Sequence, residues 1–166
     1  MSLRIIKGNV HKYGDNINTD IISPAQYMEL SFADIAAHAM EGIDPDFSRK
    51  VNQGDILVAG KNFGSGSSRE TAPIALKEAG VGAVVAEFYA RIFYRNAINI
   101  GLPVVECSMV SRIDTGDELE INPLEGVIKN LTKNEEYKCS VLPDHIINLI
   151  NTGGLVKVLE NKISEK

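Results

Sequence analysis

Three short apolar runs in the middle of the chain constrain its fold more than any other feature. They alternate with two segments that have the apolar spacing of helices, in the order 55–59, 69–79, 83–86, 90–98 and 104–105. Short strands that alternate with helices are typical of parallel strands joined by crossover helices. The middle of the chain therefore predicts a β-loop-α-β-α-β unit.

The segments on either side of this unit predict the rest of an α/β domain. The predicted strands are at 3–7, 118–121, 127–129 and 155–159, with a turn at 122–126 between the second and the third. The predicted helices are one that is capped by Ser31 and ends at Gly42, and one at 145–150. A charged tail follows at 160–166. A chain of 166 residues is long enough for one domain with its own core. We therefore expect residues 1–166 to form a single domain with a mixed or barrel-like sheet and flanking helices.

The charge balance and the cysteine count argue against several classes of protein. A net charge of -5, from 17 Lys+Arg and 22 Asp+Glu, disfavours nucleic acid as the main partner. The sequence has no apolar run long enough to span a membrane and no signal-peptide pattern at its start. Cys107 and Cys139 are too few for a disulfide framework or for the ligand set of a cubane iron–sulfur cluster. We therefore expect a cytoplasmic protein that binds neither nucleic acid nor membrane.

The loop between the first strand and the first helix of the unit carries the residues best suited to chemistry. Ser67 and Glu70 have the S-x-x-E spacing of a capping box, which places Arg69 in the first turn of the helix. Exposed N–H groups and the helix dipole predict an anion site there, and Arg69 suits a carboxylate or a phosphate. Gly64 and Gly66 allow a ligand to approach the backbone closely. The alternative is a plain helix cap and turn.

Three well-known loop motifs do not match this loop. A Walker loop ends in Gly-Lys-Ser/Thr, whereas this loop ends in Gly-Ser-Ser-Arg. A dinucleotide fingerprint requires glycine at the position of Arg69, and a nucleophile elbow centred on Ser68 requires glycine at the position of Glu70. Taken by themselves, the residues predict an anion-binding helix N-terminus of unassigned use.

Three longer motifs resemble those of the aconitase superfamily. The first motif is Gly14-Asp15-Asn16-Ile17-Asn18-Thr19-Asp20, followed by Ile22 and Pro24. The second is Asn62-Phe63-Gly64-Ser65-Gly66-Ser67-Ser68-Arg69-Glu70, followed by Ala72-Pro73. The third is the segment from Ala90 to Pro103. In order and spacing they are most similar to the small subunits of 3-isopropylmalate dehydratase, also called isopropylmalate isomerase. The resemblance extends from residue 1 to about residue 160.

This resemblance implies a fold, a reaction and a partner. The fold is the swivelling β/β/α domain of aconitases. The reaction is that of a hydro-lyase of leucine biosynthesis, a branched-chain amino acid pathway, which isomerises 2-isopropylmalate and 3-isopropylmalate through isopropylmaleate. The resemblance also implies that the chain is active only with a large subunit. That subunit holds a [4Fe–4S] cluster, whose open iron acts as a Lewis acid on a small hydroxy-dicarboxylate.

The resemblance further assigns roles to residues of this chain. Ser67 is the catalytic base, and Ser68 and Arg69 bind substrate together with Gly66. Asp20, which we interpret as a turn and motif residue, is an expected contact of the active site. No residue of this chain is a metal ligand. An ordinary serine is a poor base, so the alkoxide of Ser67 must be stabilised by surrounding donors and positive charge.

The family's substrate-selecting loop corresponds to residues 23–30. Its specificity residues here are Tyr27, Met28, Glu29 and Leu30. Glu29 would repel a third carboxylate, and Met28 and Leu30 would line an apolar pocket for an isopropyl group. The alternatives are ordinary core packing of Met28 and Leu30, a related small subunit for dimethylmalate or homocitrate, or a non-catalytic anion-binding regulatory module.

Outside the motifs, few residues predict further chemistry. The histidines have no metal-ligand spacing and are expected at the surface or at helix ends: His11, His38 and His145. Arg91 and Arg95 share a helix face. We expect them either to bind substrate or the partner chain, or to pair with Glu87 or Glu106.

Overall fold

The computed structural model describes residues 5–164, apart from the side chain of Val158. Its strands are β1 (Ile6–Lys12), β2 (Ile56–Val58), β3 (Ala83–Ala86), β4 (Val104–Glu106), β5 (Glu118–Asn122), β6 (Val127–Asn130) and β7 (Glu135–Lys138). They form one sheet in the order β4-β3-β2-β1-β5-β6-β7, which curls into a half-barrel. Strand β1 pairs in parallel with β2 and antiparallel with β5, so it joins the two halves of the sheet. The predicted mixed sheet is confirmed.

The helices connect the strands and cover the sheet. They are α1 (Thr19–Ile22), α2 (Phe32–Ala37), α3 (Phe47–Lys50), α4 (Thr71–Ala79), α5 (Arg91–Asn99), α6 (Asp144–Thr152) and α7 (Leu155–Ser164). Short 3₁₀ turns lie at Ala25–Tyr27 and Val110–Arg112. Helices α4 and α5 are the crossovers between the parallel strands β2, β3 and β4, as predicted.

The burial of the strands explains the two apolar patterns in the sequence. Every residue of β2 and β3 is buried, which is typical of parallel strands whose two faces are both covered. In β5 only Leu119 and Ile121 are buried, which is the alternation of an antiparallel strand with one exposed face.

Several predicted elements differ from the structure. Residues 155–159 form the first half of α7 and not a strand, because Val156, Leu159 and Ile163 follow the i, i+3, i+7 spacing of a helix. The sequence indicates a strand at Cys139 without bounds, whereas β7 ends one residue earlier, at Lys138, and Tyr137 is its only buried residue. The predicted tail at 160–164 also belongs to α7, and residues 165 and 166 lie outside the described residues.

The N-terminal elements are shifted relative to the prediction. Strand β1 begins at Ile6 and continues to Lys12, while residues 3 and 4 of the predicted strand lie outside the described residues. Helix α2 begins after Ser31, whose side chain accepts a hydrogen bond from the Asp34 N–H as predicted. It ends at Ala37 and not at Gly42, because the backbone of His38 leaves the helical conformation.

Candidate active site

Two loops at the carboxyl ends of β1 and β2 run side by side and frame the site. Because the strands are parallel neighbours, the segments that follow them start at the same edge of the sheet. The backbone hydrogen bonds between the loops are Tyr13 N to Val58 O, Gly60 N to Gly14 O, Asn16 N to Lys61 O, Gly64 N to Ile17 O and Thr19 N to Ser65 O. The first two sequence motifs are therefore parts of one structure.

The third motif supports the same loop from the other side. The Phe63 N–H donates to Phe88 O, and the Ala90 N–H donates to Phe63 O, just before α5 begins. Gly64 has φ +82°, and a Cβ there would overlap the side chain of Phe93. This corrects the prediction that Gly64 leaves room for a ligand, because the space is filled by Phe93.

The predicted capping box does not form. Helix α4 begins at Thr71, and Glu70 is its N-cap residue with no side-chain cap hydrogen bond. Ser67 and Ser68 are exposed and lie before the helix. Within residues 5–164, the N–H groups of Ser67, Ser68 and Glu70 have no hydrogen-bond acceptor. The loop therefore presents two hydroxyls and several unused backbone donors to solvent.

Arg69 points back beneath this loop and not into the first turn of the helix. Its side chain is only 10% exposed, and its Nη1 donates to Asp20 Oδ1 at 3.2 Å and to Ser23 O at 2.9 Å. Its Nη2 donates to Ser67 Oγ at 3.5 Å. The structure thus brings Asp20, Arg69 and Ser67 together, with a fixed positive charge beside the Ser67 hydroxyl.

Gly66 has a left-handed backbone next to the serines. Its φ is +100°, a conformation that side-chain-bearing residues rarely adopt, and a Cβ there would lie 3.4 Å from Thr19 Oγ1. Gly66 is exposed, so its backbone is accessible beside Ser67. Glycine is therefore required here by the backbone conformation, and it leaves the main chain open to a ligand.

The predicted substrate-selecting loop begins close to Asp20. The Ala25 N–H donates to Asp20 Oδ1 at 3.3 Å, and residues Ala25–Tyr27 form a 3₁₀ turn. Met28 and Leu30 are 43% and 44% exposed, and Glu29 is also exposed. The alternative that Met28 and Leu30 pack in the core is therefore wrong. Tyr27 differs from these three because it is partly buried.

Thr71, Glu41 and His38 make contacts at the site that no sequence pattern indicated. The Ser23 hydroxyl donates to Thr71 Oγ1 at 3.0 Å, which ties the substrate-selecting loop to the start of α4. The Tyr27 hydroxyl donates to Glu41 Oε1 at 3.0 Å, and the Tyr27 ring stacks on His38. His38 lies at a helix end, as predicted, but no local pattern indicated its contact with Tyr27.

A cavity between two helices is separate from these residues. It is a groove of about 590 Å³ between α5 and α6, lined by Tyr89, Arg91, Tyr94, Arg95, Ile98, Asn99, Glu106, Ile146 and Leu149. No residue of the Ser67 loop lines it. The described residues include no ion pair between Arg91 or Arg95 and either Glu87 or Glu106. We therefore base the candidate site on the Ser67 loop, where the polar groups converge.

The described residues include no group of three His, Cys, Asp or Glu side chains that could hold a metal ion. No helix among residues 5–164 is long and apolar enough to cross a membrane.

Cys107 is buried and Cys139 is partly buried, and both are free thiols. Burial raises the pKa of Cys107, and it raises the pKa of Cys139 to about 11. Both thiols are therefore protonated at neutral pH.

The chain is similar to known proteins over nearly its whole length. Residues 5–108 match the family model of the aconitase C-terminal domain. The chain is 53% identical to a 3-isopropylmalate dehydratase small subunit from Caldicellulosiruptor saccharolyticus, with 97% of this chain and 94% of that protein covered. It is 52% identical to an isopropylmalate/citramalate isomerase small subunit from Methanocaldococcus jannaschii, with 97% of both covered.

A solved structure shows the same fold. The crystal structure of a 3-isopropylmalate dehydratase from Methanocaldococcus jannaschii matches with a TM-score of 0.91 at 44% identity, and the match covers 96% of this chain and 95% of that chain. The aconitase-type fold expected from the sequence is confirmed.

Proposed function

Because the chain belongs to the family of 3-isopropylmalate dehydratase small subunits, within the aconitase C-terminal domain family, we propose that it is the small subunit of a hydro-lyase of leucine biosynthesis. The enzyme isomerises 2-isopropylmalate and 3-isopropylmalate through isopropylmaleate. The observation that carries the proposal is the exposed Ser67 hydroxyl beside the fixed guanidinium of Arg69. The dehydration of a hydroxy acid requires a base that takes a proton from the substrate, and the exposed Ser67 hydroxyl beside a positive charge suits that role.

Ser67 is proposed as the group that takes a proton from the substrate and returns it. A serine hydroxyl is a weak base unless its alkoxide is stabilised. Here the donor directed at the Ser67 hydroxyl oxygen is the Arg69 Nη2. This donor is already in place, so it needs little reorganisation when charge develops on the oxygen.

Ser68, Arg69 and Gly66 are proposed to bind a substrate carboxylate. The Ser68 N–H and hydroxyl are exposed, and the bare backbone of Gly66 allows a ligand to lie against the loop. Arg69 uses Nη1 on Asp20 and Ser23 O, which leaves Nη2 directed at the loop. Asp20 is therefore proposed to orient Arg69, and the charge of Arg69 attracts the carboxylate.

The cofactor and the larger partner are part of this proposal. Aconitase-family enzymes of this kind use an iron–sulfur cluster, and the name "small subunit" of the relatives implies a larger chain. The residues described here do not fit such a cluster, because only two cysteines are present. We propose that the larger subunit holds the [4Fe–4S] cluster and that the complex acts in the cytoplasm.

The larger subunit is proposed to cover the sheet edge that carries Ser67. Phe88, Ile92 and Met109 are exposed apolar residues that follow β3 and β4 at this edge. Arg91 precedes Ile92, is exposed and forms no ion pair with another described residue. A partner that completes the site at Ser67 must approach this edge. We therefore propose that the edge contacts an apolar, acidic surface of the larger subunit.

A related substrate is the second candidate. One relative at 52% identity is named an isopropylmalate/citramalate isomerase small subunit. Met28 and Leu30 are apolar and exposed, so this chain alone does not enclose a pocket of fixed size around the substituent. Glu29 disfavours homocitrate, whose additional carboxylate it would repel. We therefore propose that methyl-substituted malates are accepted, with a lower preference than isopropylmalate.

The test is the activity of the complex assembled without oxygen. The chain is produced together with its larger subunit, and the hydration of isopropylmaleate is followed by the loss of the ultraviolet absorbance of its double bond. Ser67→Ala is expected to lower kcat by about 10²–10⁴-fold, the range for removal of a proton-transfer group. Ser111→Ala, a change at another exposed serine, is the control and should retain full activity. A cluster-loaded complex without turnover would favour the anion-binding regulatory module.

A further inference from the structure

The substrate-selecting loop is held at Tyr27 by two residues outside the three sequence motifs. The Tyr27 hydroxyl donates to Glu41 Oε1 at 3.0 Å. The Tyr27 ring stacks on the His38 ring with a centroid separation of 3.7 Å and an angle of 8° between the planes. The other oxygen of Glu41 contacts His38 Nδ1. One carboxylate therefore holds both the phenol and the imidazole, and the two rings cover each other.

His38 and Glu41 are attached to a well-packed part of the molecule. His38 directly follows α2, in which Ile35 and Ala36 are buried, and α2 packs against α4. Met40, between His38 and Glu41, is fully buried, and its N–H donates to Ile22 O at 2.9 Å. The clamp formed by His38 and Glu41 is therefore anchored to the core and to the helix that follows the Ser67 loop.

The backbone of the specificity residues is hydrogen-bonded around Tyr27. The Met28 N–H donates to Ala25 O, and the Leu30 N–H donates to Tyr27 O, so the backbone of the loop turns tightly around Tyr27. Met28, Glu29 and Leu30 are exposed and have no side-chain hydrogen bond or ion pair with the described residues. The start of the loop is fixed by Asp20, which binds both Ala25 and Arg69. Tyr27 is the second fixed point.

We propose that His38 and Glu41 are positioning residues that fix Tyr27, and thereby hold Met28 and Leu30 where they select the apolar substituent of the substrate. This inference depends on the proposed function, since it concerns which substituent the enzyme prefers. It assigns the selection to contacts beneath the loop as well as to the side chains on the loop itself. His38 and Glu41 do not touch the reacting atoms.

The kinetic test compares isopropylmaleate with methylmaleate in the assembled enzyme. Glu41→Ala and His38→Ala are expected to raise KM for isopropylmaleate and to lower its kcat/KM relative to that of methylmaleate by about tenfold, the effect of losing one hydrogen bond to a charged group. An apolar pocket discriminates by about 10–200-fold for a small change of substituent, so a tenfold loss is measurable. The value of kcat should change less than twofold, because Ser67 and Arg69 are not altered.

Conservative variants separate positioning from a general loss of structure. Glu41→Gln keeps an oxygen that accepts from Tyr27, and His38→Phe keeps a ring that stacks on it. Both should recover most of the preference that the alanine variants lose. His145→Ala, which changes another histidine near a helix end, is the matched control and should leave the preference unchanged. Equal preference in wild type and in both alanine variants would overturn the proposal.

Amide hydrogen exchange tests the clamp without relying on activity. In Glu41→Ala, the Met28 and Leu30 amides should exchange about tenfold faster, while the Leu57 amide in β2 keeps its rate. Unchanged exchange at Met28 and Leu30 would overturn the proposal, and so would faster exchange with an unchanged preference. If the wild-type complex hydrates neither substrate, the proposed function fails. Hydrogen exchange then still decides whether the clamp positions the loop.

Discussion

At the scale of single residues, Arg69 is oriented by the protein before any substrate is present. Asp20 and Ser23 O hold one of its terminal nitrogens, and the other reaches Ser67. The predicted position, in the first turn of α4, would set the positive charge against the helix dipole. In the observed position before the helix, the guanidinium has two acceptors, Asp20 Oδ1 and Ser23 O.

Replacement of Arg69 by lysine should show that geometry matters as well as charge. A lysine ammonium is a compact charge on a flexible stem and lacks the planar fork that contacts Asp20, Ser23 O and Ser67 together. We expect Arg69→Lys to lower kcat/KM by about 10²–10³-fold, as for loss of a preorganised donor. Steady-state kinetics measures this, with Arg49→Lys at an exposed position as the control. A loss below about threefold would contradict the role given to the fork.

Gly64 should be essential for stability through the fit of α5 against the loop. A Cβ at this position would overlap Phe93, and φ is +82°, which strains any other residue. We expect Gly64→Ala to lower the free energy of unfolding by about 2–4 kcal/mol, the sum of overpacking and left-handed strain. Urea denaturation measures it. Gly14→Ala is the comparison, since nothing lies within 4 Å of a Cβ there. Equal effects at the two glycines would count against this explanation.

At the scale of elements, polar contacts tie the antiparallel half of the sheet to the loop before β5. In β7, Glu135 accepts hydrogen bonds from Arg112 and from the Tyr137 hydroxyl. The hydrogen bonds from these two partners, Arg112 first and then Tyr137 in size of effect, lower the pKa of Glu135 from 4.5 to about 2. The sequence pattern gave little sign of β7, and its residue Glu135 is held by Arg112 from outside the strand and by Tyr137 within it.

The lowered pKa of Glu135 predicts how this half responds to acid. A carboxyl whose pKa is lower in the folded state stabilises the fold above its unfolded pKa and loses that contribution as pH falls through its folded pKa. The contribution of the ionised Glu135 carboxylate to the stability of the fold should therefore disappear as the pH falls from about 4.5 to about 2. We expect the urea midpoints of wild type and Glu135→Gln to converge over this range. If the urea midpoints of the two proteins instead keep a constant difference between about pH 4.5 and pH 2, the ion pair with Arg112 adds nothing to stability.

Helix α4 shows how tertiary contacts move the boundary of an element. The local S-x-x-E pattern favoured a start near Ser67, yet the helix begins at Thr71. Arg69 is drawn toward Asp20 and Ser23, and Thr71 accepts a hydrogen bond from Ser23. These contacts with the neighbouring loop keep residues 67–69 out of the helix, and the serines stay exposed.

At the scale of the whole molecule, the proposed contact with the larger subunit can be tested by substitution at the exposed apolar edge. Ile92 lies in the first turn of α5 and is 47% exposed. We expect Ile92→Asp to weaken assembly at least tenfold, because it places a charge in an apolar contact. A binding titration with the larger subunit measures this. Ile163→Asp, at an exposed position of α7, is the control and should assemble normally.

Unimpaired assembly of Ile92→Asp would place the partner elsewhere. Normal folding of both variants, checked by their urea midpoints, distinguishes lost contact from lost structure. Weak assembly of Ile163→Asp with normal assembly of Ile92→Asp would move the contact to α7.

The sequence by itself determined the parallel unit, the alternation of β5 and the residues that carry chemistry. The continuous apolar runs of β2 and β3 record burial on both faces, and the burial pattern of β5 records one exposed face. Such patterns are local, because each strand needs only its own residues to show which faces are buried. The three motifs likewise lie in continuous segments, and so the sequence alone indicated Ser67, Ser68 and Arg69.

Only the tertiary structure decided how these segments meet. Asp20 and Arg69 are 49 residues apart in sequence, and they touch because β1 and β2 are parallel neighbours whose loops share one edge. Strand β7 forms because β6 supplies its hydrogen bonds, although only Tyr137 in it is buried. Tyr27, His38 and Glu41 meet because the chain turns at the end of α2. These contacts join residues that no local pattern links, so only the folded chain shows them.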